Sequence, residues 1–130
     1  MKKIIFTLLL LISSLYAELK NEPLSQKMLD SKIPMVDIRT PGEWEETGIV
    51  KGSIPIMFFN EQGKYDINKF LNELNAKVDT SKPFALICRT GSRTKIVSAF
   101  LSTKLNYKVT NVSGGIMYPE IKKPPFVQYK

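Results

Sequence analysis

The stretch of sequence that decides the fold is PFALICRTGSRT, which occupies residues 83–94. Its first five residues form a continuous apolar run too short for a helix, so they predict a strand buried on both faces. Cys88 follows that strand directly. From Thr94 onward the apolar residues fall on one predicted helical face that packs on the sheet. That face comprises Ile96, Val97, Phe100, Leu101 and Leu105, with Lys95, Ser98, Ser102 and Lys104 elsewhere. We therefore expect Cys88 at the carboxyl end of a central strand. In open parallel sheets, ligand-binding sites lie at this end of the strands.

Shorter elements flank this unit in both directions. Thr40, Pro41 and Glu43 combine a capping-box spacing with a first-position proline, which predicts a helix start. In chain order, the other patterns predict a helix at 24–31, a strand at 35–38, a turn leading into a short strand within 49–56, a helix around 70–74, a strand at 109–112 and a last short helix introduced by Gly114 and Gly115. This alternation predicts one α/β domain with a mainly parallel central sheet and helices on both faces.

The first residues have the pattern of an export signal. Lys2 and Lys3 precede an apolar run at 4–12, and Ala17 ends a region of cleavage type. We expect a signal peptide over residues 1–17 and a single domain over 18–130. No later stretch approaches transmembrane length, so we expect no stable membrane span after signal removal. The Lys-Lys start favours a bacterial periplasm as the destination.

Residue counts exclude several classes of chemistry. The 130 residues contain one cysteine and no histidine, which rules out an internal disulfide, Cys/His or Ser/His/Asp catalysis, and a histidine or clustered-cysteine zinc site. Removal of the signal takes away Lys2 and Lys3, which lowers the net charge from +7 to about +5. The remaining lysines are scattered, so we expect no nucleic-acid partner but consider small anions as partners. A free thiol is at risk of oxidation in an oxidising compartment, so we expect Cys88 to have a chemical role.

The loop after the strand has the composition of an anion cradle. Gly91 lets successive backbone N–H groups turn inward, and the following helix adds the positive end of its dipole. Arg89 and Arg93 add two permanent charges. These features favour a thiolate at Cys88 and make it a nucleophile, rather than a structural cysteine before an ordinary turn.

The sequence resembles the rhodanese family of single-domain sulfurtransferases. Its Cys-x-x-Gly-x-Arg-Ser/Thr loop is matched in full by residues 88–94. Residues 36–44 are similar to the family's Asp-x-Arg…Glu-aromatic segment, residues 48–55 to its Gly-His-Ile-x-Gly-Ala segment, and residues 112–116 to its Gly-Gly turn. Ile49 stands where many members have histidine.

The resemblance implies that Cys88 attacks the outer sulfur of a donor such as thiosulfate, becomes a persulfide and passes the sulfur to a thiol or cyanide. It implies no cofactor and no metal. The acceptor could be a thioredoxin-like protein, and the domain is expected to be a monomer. The expected substrate-binding residues are Arg89, Thr90, Gly91, Ser92, Arg93 and Thr94. Hydroxyls of Ser92 and Thr94 could instead cap the helix.

Other residues near the predicted site keep two interpretations. Asp37 and Arg39 end a strand and could border the pocket, but Arg39 and Glu43 are also spaced for a simple ion pair. We favour structural roles for Asp37 and Arg39. Trp44 is expected in the core, and Tyr118, where many family members have tryptophan, is balanced between rim and core.

Two other functions remain open. A phosphatase or arsenate reductase also surrounds a thiolate with a Cys/Arg loop, but only four residues separate Cys88 from Arg93 here, against five in the phosphatase pattern. The shorter loop favours sulfur transfer. The second of these functions is that of a persulfide carrier or docking module for an exported thiol protein, without turnover of its own.

Overall fold

The computed structural model describes residues 19–130. The predicted signal peptide and its cleavage site lie outside the described residues. Within the described range, no helix is long and apolar enough to cross a membrane.

Strands and helices alternate through most of the described chain, as the sequence predicts. The elements are β1 (Lys20–Pro23), α1 (Gln26–Ser31), β2 (Met35–Asp37), α2 (Pro41–Thr47), β3 (Ile49–Val50), β4 (Ile54–Pro55), α3 (Ile67–Lys77), β5 (Phe84–Ile87), α4 (Ser92–Leu105), β6 (Val109–Ser113) and β7 (Phe126–Val127).

A parallel sheet forms the centre of the fold. Its five strands lie in the order β1-β6-β5-β2-β4, and every neighbouring pair is parallel. Strand β5 occupies the middle and is buried along its whole length. Strands β3 and β7 form a separate antiparallel pair. The prediction of a mainly parallel sheet with β5 at its centre is therefore confirmed.

Alternating side chains of β5 supply the two faces of the core. Phe84 and Leu86 pack with residues of α3 and α4 on one face, whereas Ala85 and Ile87 pack with Met28 of α1 on the other. Burying a side chain such as Leu86 contributes about 1.5–3 kcal/mol to folding. Helices thus cover both faces of the sheet, as predicted.

Helix α2 begins with the capping box that the sequence indicates. The Thr40 hydroxyl accepts the backbone N–H of Glu43 at 3.4 Å, and the Glu43 carboxylate accepts the backbone N–H of Thr40 at 3.4 Å. Pro41 occupies the first helical position, where its missing N–H costs nothing. This start holds Glu43 at the carboxyl edge of β2, beside the predicted site.

Helix α4 packs on the sheet through most of the predicted face, with Val97 and Leu101 buried and Phe100 and Leu105 packed against the core. Ile96 is 63% exposed, whereas Thr94, Ser98 and Ser102 are buried. These three small polar residues recur every fourth position, so they form a stripe that lets the helix approach the sheet closely. The expectation that Ile96 packs inward and the serines outward is wrong, because apolar periodicity takes no account of small side chains at a close contact.

The residues after β6 form a turn rather than the predicted short helix. Gly114 and Gly115 have φ angles of +77° and +56°. These two residues lie outside any right-handed helix, which requires negative φ, and the residues that follow them up to 123 form turns and irregular structure. The same glycines instead fold the chain back against the loop that follows β5.

Strand β1 is an element that the sequence pattern did not predict. Its four residues, KNEP, are all exposed and alternate no apolar side chains. It joins the sheet by pairing alongside β6, with Asn21 opposite Asn111. Because this pairing uses the backbone, composition carries no signal for it.

Candidate functional site

Cys88 lies immediately after β5 and is fully buried, with 0% of the residue exposed. Its Sγ accepts the backbone N–H of Gly91 at 3.2 Å and lies 3.5 Å from the hydroxyl oxygen of Thr94. An N–H group directed at the sulfur stabilises negative charge there more than it stabilises the neutral thiol. The loop thus places one backbone hydrogen-bond donor at the sulfur.

The start of α4 leaves its backbone donors open. Gly91 is the N-cap residue, in a left-handed conformation with φ of +93°, and no side chain caps the helix. The Thr94 hydroxyl oxygen instead lies 3.2 Å from the Gly91 carbonyl oxygen and 2.6 Å from Oδ1 of Asn111, so the capping role considered for Thr94 is wrong. The first-turn N–H groups of a helix have no intrahelical acceptor. Together with the dipole of α4, they give this loop a positive end suited to an anion.

The turn after β6 holds the loop from behind. The backbone N–H groups of Ile116 and Met117 donate to the carbonyls of Cys88 and Arg89 at 3.1 and 3.0 Å. Gly115 sits so close to these carbonyls that a Cβ there would collide with them. The turn thus takes up loop carbonyls that would otherwise repel an anion.

A bidentate ion pair joins the loop to α2. Arg93 donates to the two carboxylate oxygens of Glu43 at 2.7 and 2.8 Å. The side chains are 26% and 21% exposed, respectively. The hydrogen bond from Arg93 is the main cause that lowers the pKa of Glu43 from 4.5 to about 2, although partial burial opposes it. The same hydrogen bond raises the pKa of Arg93, and attraction to Cys88 adds to that rise.

This pair corrects one sequence prediction and qualifies another. Glu43 binds Arg93 and not Arg39, so the expected Arg39–Glu43 pair is wrong. Arg39 precedes the N-cap Thr40, so helical spacing does not apply to it. Arg93 lies at the loop, as expected, but its guanidinium already has a carboxylate partner.

Asp37 and Arg39 form a second ion pair behind the site. Both side chains are 0% exposed, and their closest N–O distance is 2.8 Å. Arg39 also donates to the Thr47 hydroxyl at 2.8 Å and to the Gly48 carbonyl at 2.9 Å. The indole of Trp44 donates to Asp37 at 3.0 Å. This network ties the end of β2 to the end of α2, which supports the structural interpretation of Asp37 and Arg39 and places Trp44 in the core as predicted.

The remaining predicted loop residues lie on the outer surface. Arg89, Thr90 and Ser92 are exposed, and the Thr90 and Ser92 hydroxyl oxygens are 3.3 Å apart. Tyr118 is 67% exposed, so it is not a core residue. The structure therefore brings Gly91, Arg93 and Thr94 around Cys88 and leaves the other three loop residues facing solvent.

A cleft of about 540 Å³ lies outside this loop. It lies at the carboxyl ends of β2 and β4, with Pro41, Tyr65, Asp66 and Tyr129 among its lining residues. No residue of 88–94 lines it. Because Cys88 is fully buried, a donor reaches its sulfur only after neighbouring groups move.

Two asparagines near the site were not singled out from the sequence. The Thr94 hydroxyl oxygen is 2.6 Å from Oδ1 of Asn111, and Nδ2 of Asn111 donates to Oδ1 of Asn21 at 2.9 Å. The available signal is a lone amide among the β-branched residues Val109, Thr110 and Val112 of strand β6. A buried polar residue in such a strand needs a partner.

Comparisons with known proteins agree with this fold. The rhodanese-like domain profile matches residues 19–118. The chain is 33% identical over 92 residues to the uncharacterized protein RP600 of Rickettsia prowazekii (strain Madrid E), covering 68% of this chain and 72% of that one.

Two solved structures share the fold. A rhodanese-like domain protein from Staphylococcus aureus has a TM-score of 0.61 at 17% identity, over 84% of this chain and 99% of that one. Rv0390 from M. tuberculosis has a TM-score of 0.61 at 18% identity, over 75% and 80%. The family match covers most of the chain, including the Cys88 loop and the Gly-Gly turn that supports it, so this protein belongs to the rhodanese-like domain family.

Proposed function

We propose that this domain is a sulfurtransferase that moves sulfane sulfur from thiosulfate, or a similar small anion, through a persulfide on Cys88. The observation that carries the proposal is the environment of Sγ, which accepts the Gly91 N–H at 3.2 Å beside the open start of α4. A thiolate in that position is both stabilised and directed at an anion-binding loop.

The reaction has two displacement steps. The Cys88 thiolate attacks the outer sulfur of thiosulfate, a new S–S bond forms to the cysteine, and the S–S bond of the donor breaks as sulfite leaves with its electron pair. A thiolate or cyanide then attacks the outer sulfur of the persulfide, and Cys88 leaves as the thiolate. N–H donors of the loop stabilise the charge that develops on departing sulfite.

Arg93 and Arg89 take different parts in binding the donor. The exposed Arg89 offers a charge for the first encounter with the anion. Arg93 lies deeper and is shared with Glu43, so its guanidinium can rebalance between that carboxylate and the bound anion. Thr90, Ser92 and Thr94 supply hydroxyls, and Gly91 supplies the backbone approach.

The burial of Cys88 favours a second candidate, a persulfide carrier that opens only against a protein partner. In that case an exported thiol protein, for example one of thioredoxin type, displaces the groups that cover the sulfur. Slow turnover with free thiosulfate and cyanide, combined with fast sulfur exchange with such a partner, would distinguish the carrier from the enzyme.

The direct test is a mass measurement on the chain from residue 18 onward. Incubation with thiosulfate is expected to add one sulfur atom to the wild type and none to Cys88→Ser. Cyanide should discharge the adduct and release thiocyanate over repeated cycles. No adduct with thiosulfate or with persulfide donors would contradict sulfur transfer.

The same preparation tests the phosphatase alternative. We expect no hydrolysis of aryl phosphates above the Cys88→Ser background, because the loop has only four residues between Cys88 and Arg93. Hydrolysis that is lost in Cys88→Ser, without a sulfur adduct, would reassign the loop to phosphate chemistry.

We also propose that the domain works outside the cytoplasm, as the sequence of residues 1–17 suggests. Cell fractionation should find the protein in the periplasm with its first residue at position 18. A cytosolic protein with Met1 and the following residues intact would overturn this proposal.

A further inference from the structure

A chain of polar side chains leads from the buried sulfur to the edge of the sheet. Sγ of Cys88 is 3.5 Å from Oγ1 of Thr94, which is 2.6 Å from Oδ1 of Asn111. Nδ2 of Asn111 then donates to Oδ1 of Asn21 at 2.9 Å. Thr94 is 0% and Asn111 4% exposed, whereas Asn21 lies on the exposed strand β1. The side chains of Thr94, Asn111 and Asn21, none of which carries a charge, thus connect the reactive sulfur to solvent.

The Thr94 hydroxyl has one proton and more than one acceptor. In the structure the short distance to Oδ1 of Asn111 assigns that proton to the amide oxygen. The sulfur then receives no hydrogen bond from Thr94. A thiolate at Cys88 is a stronger acceptor than a thiol and competes for the same proton.

Rotation of the two amides reverses the chain without losing a hydrogen bond. With Nδ2 of Asn111 turned inward, the amide donates to Oγ1 of Thr94, and the hydroxyl proton is released from Asn111. The Gly91 carbonyl at 3.2 Å and Sγ then compete for that proton, and a charged sulfur is the stronger acceptor. Asn21, rotated in turn, donates to Oδ1 of Asn111. Carboxamides permit both arrangements because each has donors at one end and an acceptor at the other.

We propose that Asn111 is a positioning residue that directs the Thr94 hydroxyl proton to the Cys88 thiolate, and that Asn21 sets the orientation of Asn111. When the sulfur is neutral, the chain points outward, as in the structure. When the sulfur is charged, the chain points inward and stabilises it. This inference rests on the proposed use of Cys88 as a thiolate, but not on the identity of the sulfur donor.

Asn21→Asp is the sharpest test because it changes an exposed residue only. A carboxylate accepts but does not donate, so it keeps Nδ2 of Asn111 outward and the Thr94 proton on Asn111. The chain has one cysteine. The ultraviolet absorbance of its thiolate, with Cys88→Ser as the blank, therefore reports the pH midpoint of Cys88 ionisation directly and without any substrate. None of the variants used here changes Glu43 or Arg93, the charged pair at the loop.

We expect Asn21→Asp to raise the midpoint by about one pH unit, the size of one hydrogen bond to a charged group. Thr94→Val should raise it similarly, and adding Asn21→Asp to Thr94→Val should produce no further rise. Lys20→Gln changes the net charge by the same amount on the same strand, but its side chain points to the opposite face. It should leave the midpoint within a few tenths of a unit.

Other outcomes overturn the inference. An equal rise in the wild-type and Thr94→Val backgrounds would identify a through-space charge effect, as would an equal rise in Lys20→Gln. An unchanged midpoint in Asn21→Asp would show that the chain does not reach the sulfur. Failure of thiosulfate to form an adduct, with the midpoint shift present, would instead refute only the proposed donor chemistry.

Discussion

Two arginine–carboxylate pairs lie at neighbouring places in this fold and differ in how far solvent reaches them. Asp37–Arg39 is completely buried and is supplemented by bonds to Thr47, Gly48 and Trp44. Glu43–Arg93 is about a quarter exposed and joins two elements that are 50 residues apart in sequence. The first pair closes a network within one strand–helix unit, whereas the second joins that unit to the cysteine loop.

This difference separates a structural pair from one that can take part in binding. Arg39 cannot leave Asp37 without exposing an unpaired buried charge, which is costly. Under the proposed function, Arg93 exchanges part of its interaction with Glu43 for the incoming anion, because water reaches this pair and compensates for the change. Residue type and sequence motif do not distinguish these arginines, but burial does.

The largest expected effect comes from breaking the buried pair. Asp37→Ala leaves Arg39 without its carboxylate, so the free energy of unfolding should fall by about 3–5 kcal/mol in urea denaturation. Asp37→Asn, which retains an acceptor, should lose less. A fall of less than about 1 kcal/mol for the alanine variant would show that Arg39 finds another partner and that the pair is not structural.

Removing the arginine of the exposed pair should affect binding more than folding. In Arg93→Gln, Glu43 remains as an unpaired negative charge beside the loop, so the KM for thiosulfate should rise about tenfold, equivalent to about 1.4 kcal/mol. Steady-state assays of thiocyanate formation measure this rise. Glu43→Gln added to Arg93→Gln should recover part of it, and an unaltered KM in the single variant would exclude Arg93 from donor binding.

Neutralising the carboxylate of the exposed pair should have a smaller, pH-dependent effect on stability. Glu43→Gln keeps an acceptor for the capping box, so the free energy of unfolding should fall by only about 1 kcal/mol near neutral pH. The pKa of Glu43 is lowered from 4.5 to about 2 in the folded state. Its stabilisation is therefore complete above 4.5 and is lost as the pH falls toward 2.

Urea denaturation of wild type and Glu43→Gln across that pH range tests this window. The two curves of stability against pH should converge on the acidic side. A difference that stays constant between neutral pH and pH 2 would show that the variant acts through packing and not through charge.

The smallest effect is expected at a third ion pair, Asp79–Lys82, on the surface. Its closest N–O distance is 4.0 Å and its side chains are 59% and 78% exposed, respectively. The pKa of Asp79 is lowered mainly by a hydrogen bond from Ser81. Asp79→Asn keeps that acceptor, so its denaturation curve should overlay the wild type. A measurable loss of stability in Asp79→Asn would mean that solvent exposure alone does not determine the order in which these ion pairs contribute to stability.

Local signals in the sequence were sufficient for the central unit. A continuous apolar run identified β5, the Thr40–Glu43 spacing identified the start of α2, and the position of Cys88 followed from its place after the strand. Each of these features depends on interactions between residues close in sequence or on burial of a whole strand. Such features leave a regular pattern that can be read without the fold.

Other features could not be predicted from the sequence, and the physical reason differs from one residue to the next. Strand β1 has no apolar alternation because it adds to an edge by backbone pairing. Ile96 faces outward because a stripe of small residues brings α4 onto the sheet. Arg39 lies before the N-cap of α2, so the helical spacing that would pair it with Glu43 does not apply. It binds Asp37 instead.

The sequence by itself determined the α/β class, the central strand, the cysteine at its end and the cradle-like loop, because apolar runs, caps and loop glycines act over a few residues. Only the tertiary structure decided which carboxylate each arginine binds, how deeply Cys88 is buried and that Thr94, Asn111 and Asn21 form one chain. These relations join residues on different elements, and they arise from the order of the strands and the rotation of α4 on the sheet.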